Sequence, residues 1–124
     1  MRIRLINVHI DSLPINPSLQ PSQLALCTEY LRAAGCGIVA GDFNPVLPED
    51  EDLVDNNGLT GAWALLKPKD PGYTWGVDGA QAFPPNRMDK IVLLDLTPEA
   101  VSVLETSEVE GLASKAHFSD HFCL

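Results

Sequence analysis

The spacing of apolar residues along the chain predicts strands and one well-defined helix. Residues 2–10 alternate loosely between apolar and polar types, as in a strand of a covered sheet. After a proline-bearing loop, apolar residues recur every three or four positions. This predicts a helix that begins at Pro21 or Ser22 and ends before Gly35. Residues 38–40 predict a short buried strand, so the order strand, helix, strand indicates a right-handed crossover between parallel strands.

The remaining pattern predicts shorter elements. Residues 45–57 are acidic and irregular, and residues 59–66 predict a single helix of two turns. Residues 73–75 are β-favouring and predict a short strand. Residues 87–94 predict a buried strand, and residues 101–109 predict another. Strands alternating with helices in this way indicate an α/β fold.

The centre of the pattern is the stretch Gly41-Asp42-Phe43-Asn44, which directly follows the second strand. Side chains alternate along a strand, so Asp42 and Asn44 are predicted to point the same way. Pro45 then stops regular continuation, because it has no N–H to donate. Two such oxygen-bearing side chains suit a hard cation or a positioned water molecule. Glycine, aspartate and asparagine before proline are also ordinary turn chemistry, and this stretch by itself leaves both interpretations open.

Length indicates how many domains the chain can form, and net charge indicates which kinds of ligand it can hold. The 124 residues suit one domain or part of one, and 45% of them are hydrophobic. A net charge of −9 argues against a protein that holds long nucleic acid by neutralising phosphates. A phosphate substrate is still compatible, because a bound divalent metal supplies positive charge locally. The acidic run 49–52 is interpreted as a solvated loop.

The sequence also indicates a cellular compartment. No apolar run approaches the roughly 20 residues of a membrane span, and we find no signal-peptide pattern at the start. The 3 cysteines are odd in number and form no CxxC motif, which favours reduced thiols over a disulfide framework. We therefore expect an intracellular location, in the nucleus or the cytoplasm.

Polar residues that suit metal-assisted phosphoryl chemistry recur at strand ends and in loops. They form four clusters, which are Asn7 with His9, Asp42 with Asn44, Asn86 with Arg87 and Asp89, and Ser119 with Asp120 and His121. A hard cation prefers oxygen ligands, and a phosphate prefers hydrogen-bond donors. A histidine serves as a base when a carboxylate orients its other ring nitrogen. These clusters together therefore favour the functional interpretation.

The motifs Gly41-Asp42-Phe43-Asn44 and Ser119-Asp120-His121, with His9 before them and Asp89 between them, resemble the endonuclease/exonuclease/phosphatase superfamily. This is the group that contains deoxyribonuclease I. The stretch 72–75, Gly-Tyr-Thr-Trp, looks like the branch with the tyrosyl-DNA phosphodiesterases that remove 5′-linked tyrosine. The resemblance covers nearly all of residues 1–124, as one partial domain. It implies a metal-dependent nuclease or phosphodiesterase, with a role in DNA repair in that branch.

The resemblance also implies roles for single residues. Asp42 would orient the attacking water or protonate the leaving group, and Asn44 would hold the phosphate or that water. His121 would contact the scissile phosphate, with Asp89 orienting its imidazole. Asp120 would lie at a Mg²⁺ or Mn²⁺ ion. The phosphate and substrate pocket would be lined by His9, Trp75 and Arg87, of which Arg87 would chiefly support its loop.

One departure from the family pattern concerns the metal site. The principal metal ligand of the family is a glutamate in an N-terminal half, and neither Asn7 nor Glu29 replaces the residues of that half. The resemblance therefore implies the C-terminal half of a four-layer α/β sandwich, with one mixed sheet and helices on one face. We expect the other sheet face to be bare, which favours self-association, and we expect the isolated chain to be nearly inactive.

Two alternative functions stay open at this point. A truncated, catalytically inactive relative would act as a binding or interaction module through the old phosphate pocket or the bare sheet face. Alternatively, His117 and His121, which lie four positions apart, would form a zinc site with Asp120. The substrate itself, whether nucleic acid, a protein-linked nucleotide or another phosphodiester, is not fixed by these residues.

Overall fold

A computed structural model describes residues 2–105 and 119–124. Its sheet contains the strands β1 (Arg4–His9), β2 (Gly37–Asp42), β3 (Thr60–Gly61) and β4 (Asp89–Leu94), in the order β1-β2-β4-β3. Its helices are α1 (Gln20–Ala34), α2 (Leu53–Asn56) and α3 (Ala62–Leu66), with a 3₁₀ turn at Pro48–Asp50. None of these helices, within the ranges described, has the length and apolar content that a bilayer crossing needs.

The sheet is mixed, as predicted. β1 and β2 run parallel and are joined through α1, which confirms the predicted strand–helix–strand unit, and its right-handedness stays a prediction. β4 is antiparallel to both β2 and β3. Helix α1 begins slightly earlier than predicted, at Gln20, and ends where Gly35 adopts a φ of 90°. Glycine enters that conformation without the steric penalty that a Cβ brings.

The hydrophobic core lies on one face of the sheet, beneath the helices. Val39 of β2 is paired with Val92 of β4, so both side chains point to this face. Leu24 and Leu31 of α1 pack against them, and all four side chains are 0% exposed. Burying one such leucine contributes about 2 kcal/mol relative to leaving it in water. This contact holds α1 across β1 and β2.

The opposite face carries apolar residues near one end of the strands and polar residues near the other. Leu5, Ile38 and Leu93 are paired across three strands, and their exposure rises from 5% at Leu93 to 71% at Leu5. The face is therefore covered over β4 and open over β1. The predicted bare face is present at the β1 end of the sheet only.

Two of the predicted elements differ from the structure. Residues 59–66 do not form one helix, because Gly61 is extended and pairs with Val92, which leaves only five residues for α3. The acidic run 49–52 is not simply a solvated loop either. Asp50 is 3% exposed and accepts a hydrogen bond from the Leu47 N–H, and Glu51 contacts Lys90 of β4. The irregular region 45–57 thus contains a 3₁₀ turn and α2.

Two further predicted strands show only isolated β-bridges within the described residues. From the stretch 73–75, only Trp75 forms β-bridges, to Asn86 and to His121. In the stretch 101–109, Leu104 pairs with Cys123, and residues 106–109 lie outside the described ranges.

Gly41 allows β1 and β2 to approach each other at the end of the sheet. A Cβ at Gly41 would lie 2.0 Å from the Val8 carbonyl oxygen, and its φ is 134°. We expect Gly41→Ala to destabilise the fold by roughly 2–4 kcal/mol, measured by urea unfolding. Gly79→Ala is the control, since its φ of 74° is also unfavourable but nothing lies within 4 Å. Gly79→Ala should lower the free energy of unfolding by about 1 kcal/mol. Equal losses of stability in the two variants would contradict the steric explanation.

Lys90 is a buried cation whose titration affects stability. Burial lowers the pKa of Lys90 below 10.5, partly opposed by the Glu51 carboxylate. As the pH rises toward 10.5, native Lys90 loses its proton before the unfolded chain does, so the free energy of unfolding increases in that window. Lys90→Met should remove this increase and be at least as stable at about pH 7. The check is urea unfolding from about pH 7 to about pH 10, with exposed Lys69→Met as control. A pH-independent difference from wild type would contradict it.

Candidate active site

Three neighbouring strands place three ionisable side chains side by side. His9 is paired with Asp42, and Asp42 is paired with Asp89, at the end of β1, the end of β2 and the start of β4. Directly paired residues point to the same face of a sheet, so these side chains lie on the face opposite the α1 core. They lie where the carboxyl ends of two parallel strands meet, which is the usual ligand position in α/β sheets.

The chain turns immediately after Asp42. The Asp42 carboxylate accepts a hydrogen bond from the Asn44 N–H at 2.9 Å, and Asn44 has a φ of 40°. Strand alternation therefore stops there, and Asn44 is only 7% exposed. Its side-chain amide donates to the Ile10 carbonyl, while the Gln20 amide donates to the Asn44 carbonyl. The buried Asn44 thus stabilises this turn through its hydrogen bonds. Its role as a phosphate ligand stays a prediction.

His121 is held between two carboxylates. Its Nδ1 lies 2.8 Å from Asp89 Oδ2, and its Nε2 lies 4.0 Å from Asp42 Oδ2. The side chains of His121, Asp89 and Asp42 are 22%, 19% and 14% exposed, so the group is half-buried but open to solvent. Because an ionised carboxylate only accepts hydrogen bonds, Nδ1 carries the proton toward Asp89. The Nε2 side of the ring then faces Asp42 and the cleft.

Buried Thr74 fixes the position of Asp89. Its hydroxyl oxygen accepts a hydrogen bond from the Asp89 N–H at 3.0 Å, and its side chain is 0% exposed. Thr74 also accepts through its carbonyl from the Phe122 N–H at 2.7 Å. One residue therefore connects the strand that carries Asp89 to the segment that carries His121. Sequence reasoning did not select Thr74, although it precedes a selected tryptophan.

Trp75 lies next to His121 but is not among the described residues that line the cleft, so its role in binding substrate stays a prediction. Its backbone pairs with His121 on one side and with Asn86 on the other, and its indole N–H donates to Asp120 Oδ2 at 3.2 Å. Asp120 is exposed. The resulting open cleft, of about 420 Å³, is lined by His9, Asp42, Asp89, Ser119, Asp120, His121, Phe122 and Cys123.

Two predicted site residues lie elsewhere or outside the described ranges. Arg87 donates from Nη1 to the Pro71 carbonyl at 3.0 Å and lines a neighbouring cleft with Lys67 and Lys69. His117, a member of the alternative zinc site, lies outside the described residues.

Within the described ranges, one cluster of side chains has the donor atoms that a metal requires. Ligand atoms of Asp42, Asp89 and His121 all lie within 4.8 Å of one another. Carboxylate oxygens suit Mg²⁺, and an added imidazole nitrogen also suits Mn²⁺. The residues present therefore fit a divalent cation. Asp120, the metal ligand that the resemblance implies, lines the same cleft outside this cluster.

Comparison with known proteins gives structural neighbours. No protein-family model and no curated protein matches the chain. D. rerio TDP2, solved with a single-strand DNA product, has a TM-score of 0.69 and 23% identity, over 97% of this chain and 53% of that one. A humanized D. rerio TDP2 has a TM-score of 0.70 and 25% identity, over 95% of this chain and 51% of that one. An endonuclease/exonuclease/phosphatase family protein from Bacteroides thetaiotaomicron has a TM-score of 0.63 and 20% identity, over 95% of this chain and 45% of that one.

These likenesses define the fold. The chain has the α/β fold of the endonuclease/exonuclease/phosphatase proteins, as its motifs predicted, and TDP2 is among its structural neighbours. It spans about half the length of the solved structures that it matches. That extent fits the C-terminal half of such a domain.

The hydrogen bond between Asp89 and His121 predicts a defined tautomer. We expect neutral His121 to carry its proton on Nδ1 in the wild type, because Asp89 accepts it at 2.8 Å. In Asp89→Leu this acceptor is lost, and the proton should move largely to Nε2. Nitrogen-15 shifts of the imidazole, measured by NMR, distinguish the two forms, with His9 as the internal reference. An Nε2-protonated His121 in the wild type would contradict the arrangement.

Proposed function

We propose that this chain carries the phosphodiester-hydrolysing site of a metal-dependent nuclease or phosphodiesterase, in which water attacks phosphorus. The observation that supports the proposal most directly is the group Asp89–His121–Asp42, held at the mouth of an open cleft. The fold similarity to TDP2 phosphodiesterases supports the same class of reaction.

Each residue of the group has a task that follows from its position. Asp89 accepts the Nδ1 proton of His121 and thereby fixes the orientation of the ring. The Nε2 side of the ring, 4.0 Å from Asp42, then faces the place of a phosphate oxygen or a water molecule. Asp42 accepts the proton of the attacking water or donates one to the leaving group. A phosphate bound here receives hydrogen bonds from His121, and His9 lines the same cleft.

A divalent cation is part of the proposal. Asp120 would hold Mg²⁺ or Mn²⁺, with the carboxylate oxygens of Asp42 and Asp89 on the same cleft wall. When bound, the cation would supply positive charge that stabilises the phosphoryl oxygens. This charge matters because the chain has a net charge of −9, which repels a phosphodiester.

The proposed substrate is a nucleic acid or a protein-linked nucleotide. A solved neighbour, D. rerio TDP2, is complexed with a single-strand DNA product, which supports this class. In this chain, Trp75 stands beside the cleft, where its ring suits contact with a base or an aromatic leaving group. The proposal includes a role in DNA repair, which the resemblance implies, and an intracellular location, which the cysteine content favours.

The proposal is tested with a small phosphodiester, the p-nitrophenyl ester of thymidine 5′-monophosphate, in the presence of Mn²⁺. We expect at most very slow, metal-dependent turnover, and Asp42→Asn and His121→Ala should bring it down to the background without enzyme. Asp55→Asn, an exposed acid on α2, is the control and should retain wild-type turnover.

Binding is measured alongside turnover, because we expect the chain by itself to be nearly inactive. Thymidine 5′-monophosphate should bind by calorimetry in a Mn²⁺-dependent manner, and His121→Ala should lose that binding. A wild-type chain that binds neither Mn²⁺ nor the nucleotide, or turnover that survives Asp42→Asn, would contradict the proposal.

A second candidate function is an interaction module that associates through the open part of the sheet. The supporting observation is Leu5, which is 71% exposed on the face opposite the core. Sedimentation velocity should show concentration-dependent dimerisation that Leu5→Glu abolishes. Exposed Leu26→Glu on α1 is the control and should not change it. A wild-type monomer at all concentrations would rule this function out.

A further inference from the structure

A second cleft lies beyond Trp75 from the catalytic group. Its volume is about 470 Å³, and it is open to solvent. It is lined by Glu51, Ala64, Lys67, Pro68, Lys69, Asp70, Pro71, Tyr73, Asn86 and Arg87. Neither the resemblance nor the proposed chemistry assigns a role to Lys67, Lys69 or Tyr73.

Positive charge is concentrated at this cleft in an otherwise acidic chain. The whole sequence has 8 lysines and arginines against 17 aspartates and glutamates. Lys67, Lys69 and Arg87 line the cleft, and Lys90 lines the adjoining cavity together with Arg87. Half of the basic residues of the chain therefore lie at or next to one place. Such a concentration favours a ligand with more than one negative charge.

Both acidic residues of the cleft have partners, although Asp70 keeps its negative charge because its partner is a neutral N–H, so the three cations of the lining outnumber its two acids. Glu51 contacts the Lys90 ammonium at 3.6 Å, and Asp70 accepts the Gly72 N–H at 2.9 Å. The cations are freer. Lys69 is exposed and has no hydrogen bond or ion pair to any described residue. Lys67 lies 4.4 Å from the centroid of the Trp63 ring, an arrangement that leaves its ammonium open to an anion.

Tyr73 adds an aromatic surface to this charge. It is 44% exposed and follows Gly72, which has a φ of 62° and is packed so closely that a Cβ would lie 2.3 Å from Trp63. The Trp63 indole donates to the Asp70 carbonyl at 2.8 Å, so the turn before Tyr73 is anchored on both sides. A rigidly presented aromatic ring beside cations is the arrangement that binds single-stranded nucleic acid by base stacking. A run of aspartate and glutamate has no flat ring to stack on Tyr73, so the combination of cations and ring favours nucleic acid over such a peptide.

The two clefts lie on the two sides of one backbone segment. Trp75 pairs with His121, which lines the catalytic cleft, and with Asn86, which lines the second cleft. Two strand spacings correspond to about 10 Å. Trp75 therefore connects, through backbone pairing, one lining residue of each cleft.

The geometry points to a binding site for the backbone of single-stranded nucleic acid in this second cleft. Lys67, Lys69 and Arg87 contact its phosphates, and Tyr73 stacks on one base. The inference rests on the proposed function, because it extends the nucleic-acid substrate class proposed there.

The test measures binding without catalysis. Fluorescence anisotropy follows a labelled ten-residue thymidine oligonucleotide in EDTA, so neither metal nor turnover enters. We expect Lys67→Gln/Lys69→Gln to weaken binding at least fivefold. It should also reduce the slope of log affinity against log salt by about 1.4, at about 0.7 for each lost phosphate contact. The matched control, Arg2→Gln/Arg4→Gln, removes the same charge from exposed positions on or next to β1 and should stay within twofold of wild type.

Tyr73→Leu separates nucleic acid from other polyanions. It should weaken binding of the oligonucleotide about tenfold and leave binding of inorganic polyphosphate unchanged. Thermal unfolding confirms that each variant is folded, and Lys69→Gln alone serves if the double variant is not. The inference is overturned if wild type does not bind the oligonucleotide, if the control pair loses as much affinity, or if Tyr73→Leu affects both probes equally. Failure of hydrolysis in the presence of Mn²⁺ would instead affect the proposed function, since this assay does not depend on it.

Discussion

The close approach of β1 to β2 at Gly41 is the constraint on which the site depends. A side chain there would meet the Val8 carbonyl oxygen at 2.0 Å, so only glycine lets the two strands pair to their ends. Pairing to the ends places His9, Asp42 and Asp89 in one row across three strands. A register shift of one residue in any one of these strands would turn that strand's member of the row to the other face. The backbone register alone therefore places these three residues side by side.

The contact that completes the row comes from far along the chain. His121 reaches Asp89 through a segment anchored by Thr74 and Trp75, and the resulting hydrogen bond joins residues 32 positions apart. A charge-assisted bond of this kind contributes about 1.5–3 kcal/mol when it is made in a protected site. Its larger effect is on geometry, since it leaves the Nε2 side of the ring facing Asp42. Trp75 pairs with His121, which lines this cleft, and with Asn86, which lines the second cleft together with Tyr73. One short segment therefore contacts the lining of both clefts.

Much of the fold could be predicted because it follows from local periodicity. Residue alternation and helical spacing predict the crossover from β1 through α1 to β2. Gly35 marks the end of the helix, and Gly41 marks the strand end that carries Asp42. Residues 59–66 were mispredicted as a helix because pairing of Gly61 with Val92 is a tertiary contact that local apolar spacing cannot reveal. The burial of Asp50 and Lys90 could not be predicted for the same reason, because it depends on the tertiary packing of loop 45–57 on β4.

The candidate site was less accessible to residue-by-residue reasoning. Periodicity places Asp42 and Asp89 at strand ends, but it cannot bring His121 to them, and the family motifs supplied that connection. Strand alternation suggested that Asn44 faces the same way as Asp42, whereas the turn at a φ of 40° buries its side chain against Ile10. Thr74 belongs to the stretch 72–75 that carries the resemblance, but its structural role could not be predicted, because a buried hydroxyl that accepts a backbone N–H cannot be recognised without the fold.

The central claim is that Asp42, Asp89, Asp120 and His121 form one metal-dependent phosphate site. The most direct measurement is anomalous diffraction from crystals of this chain soaked with Mn²⁺ and thymidine 5′-monophosphate. The account predicts an anomalous peak in the cleft beside Asp120, with a phosphate oxygen within hydrogen-bond distance of His121 Nε2. A cleft that stays empty, or Mn²⁺ bound only at carboxylates outside this cleft, would contradict the central claim.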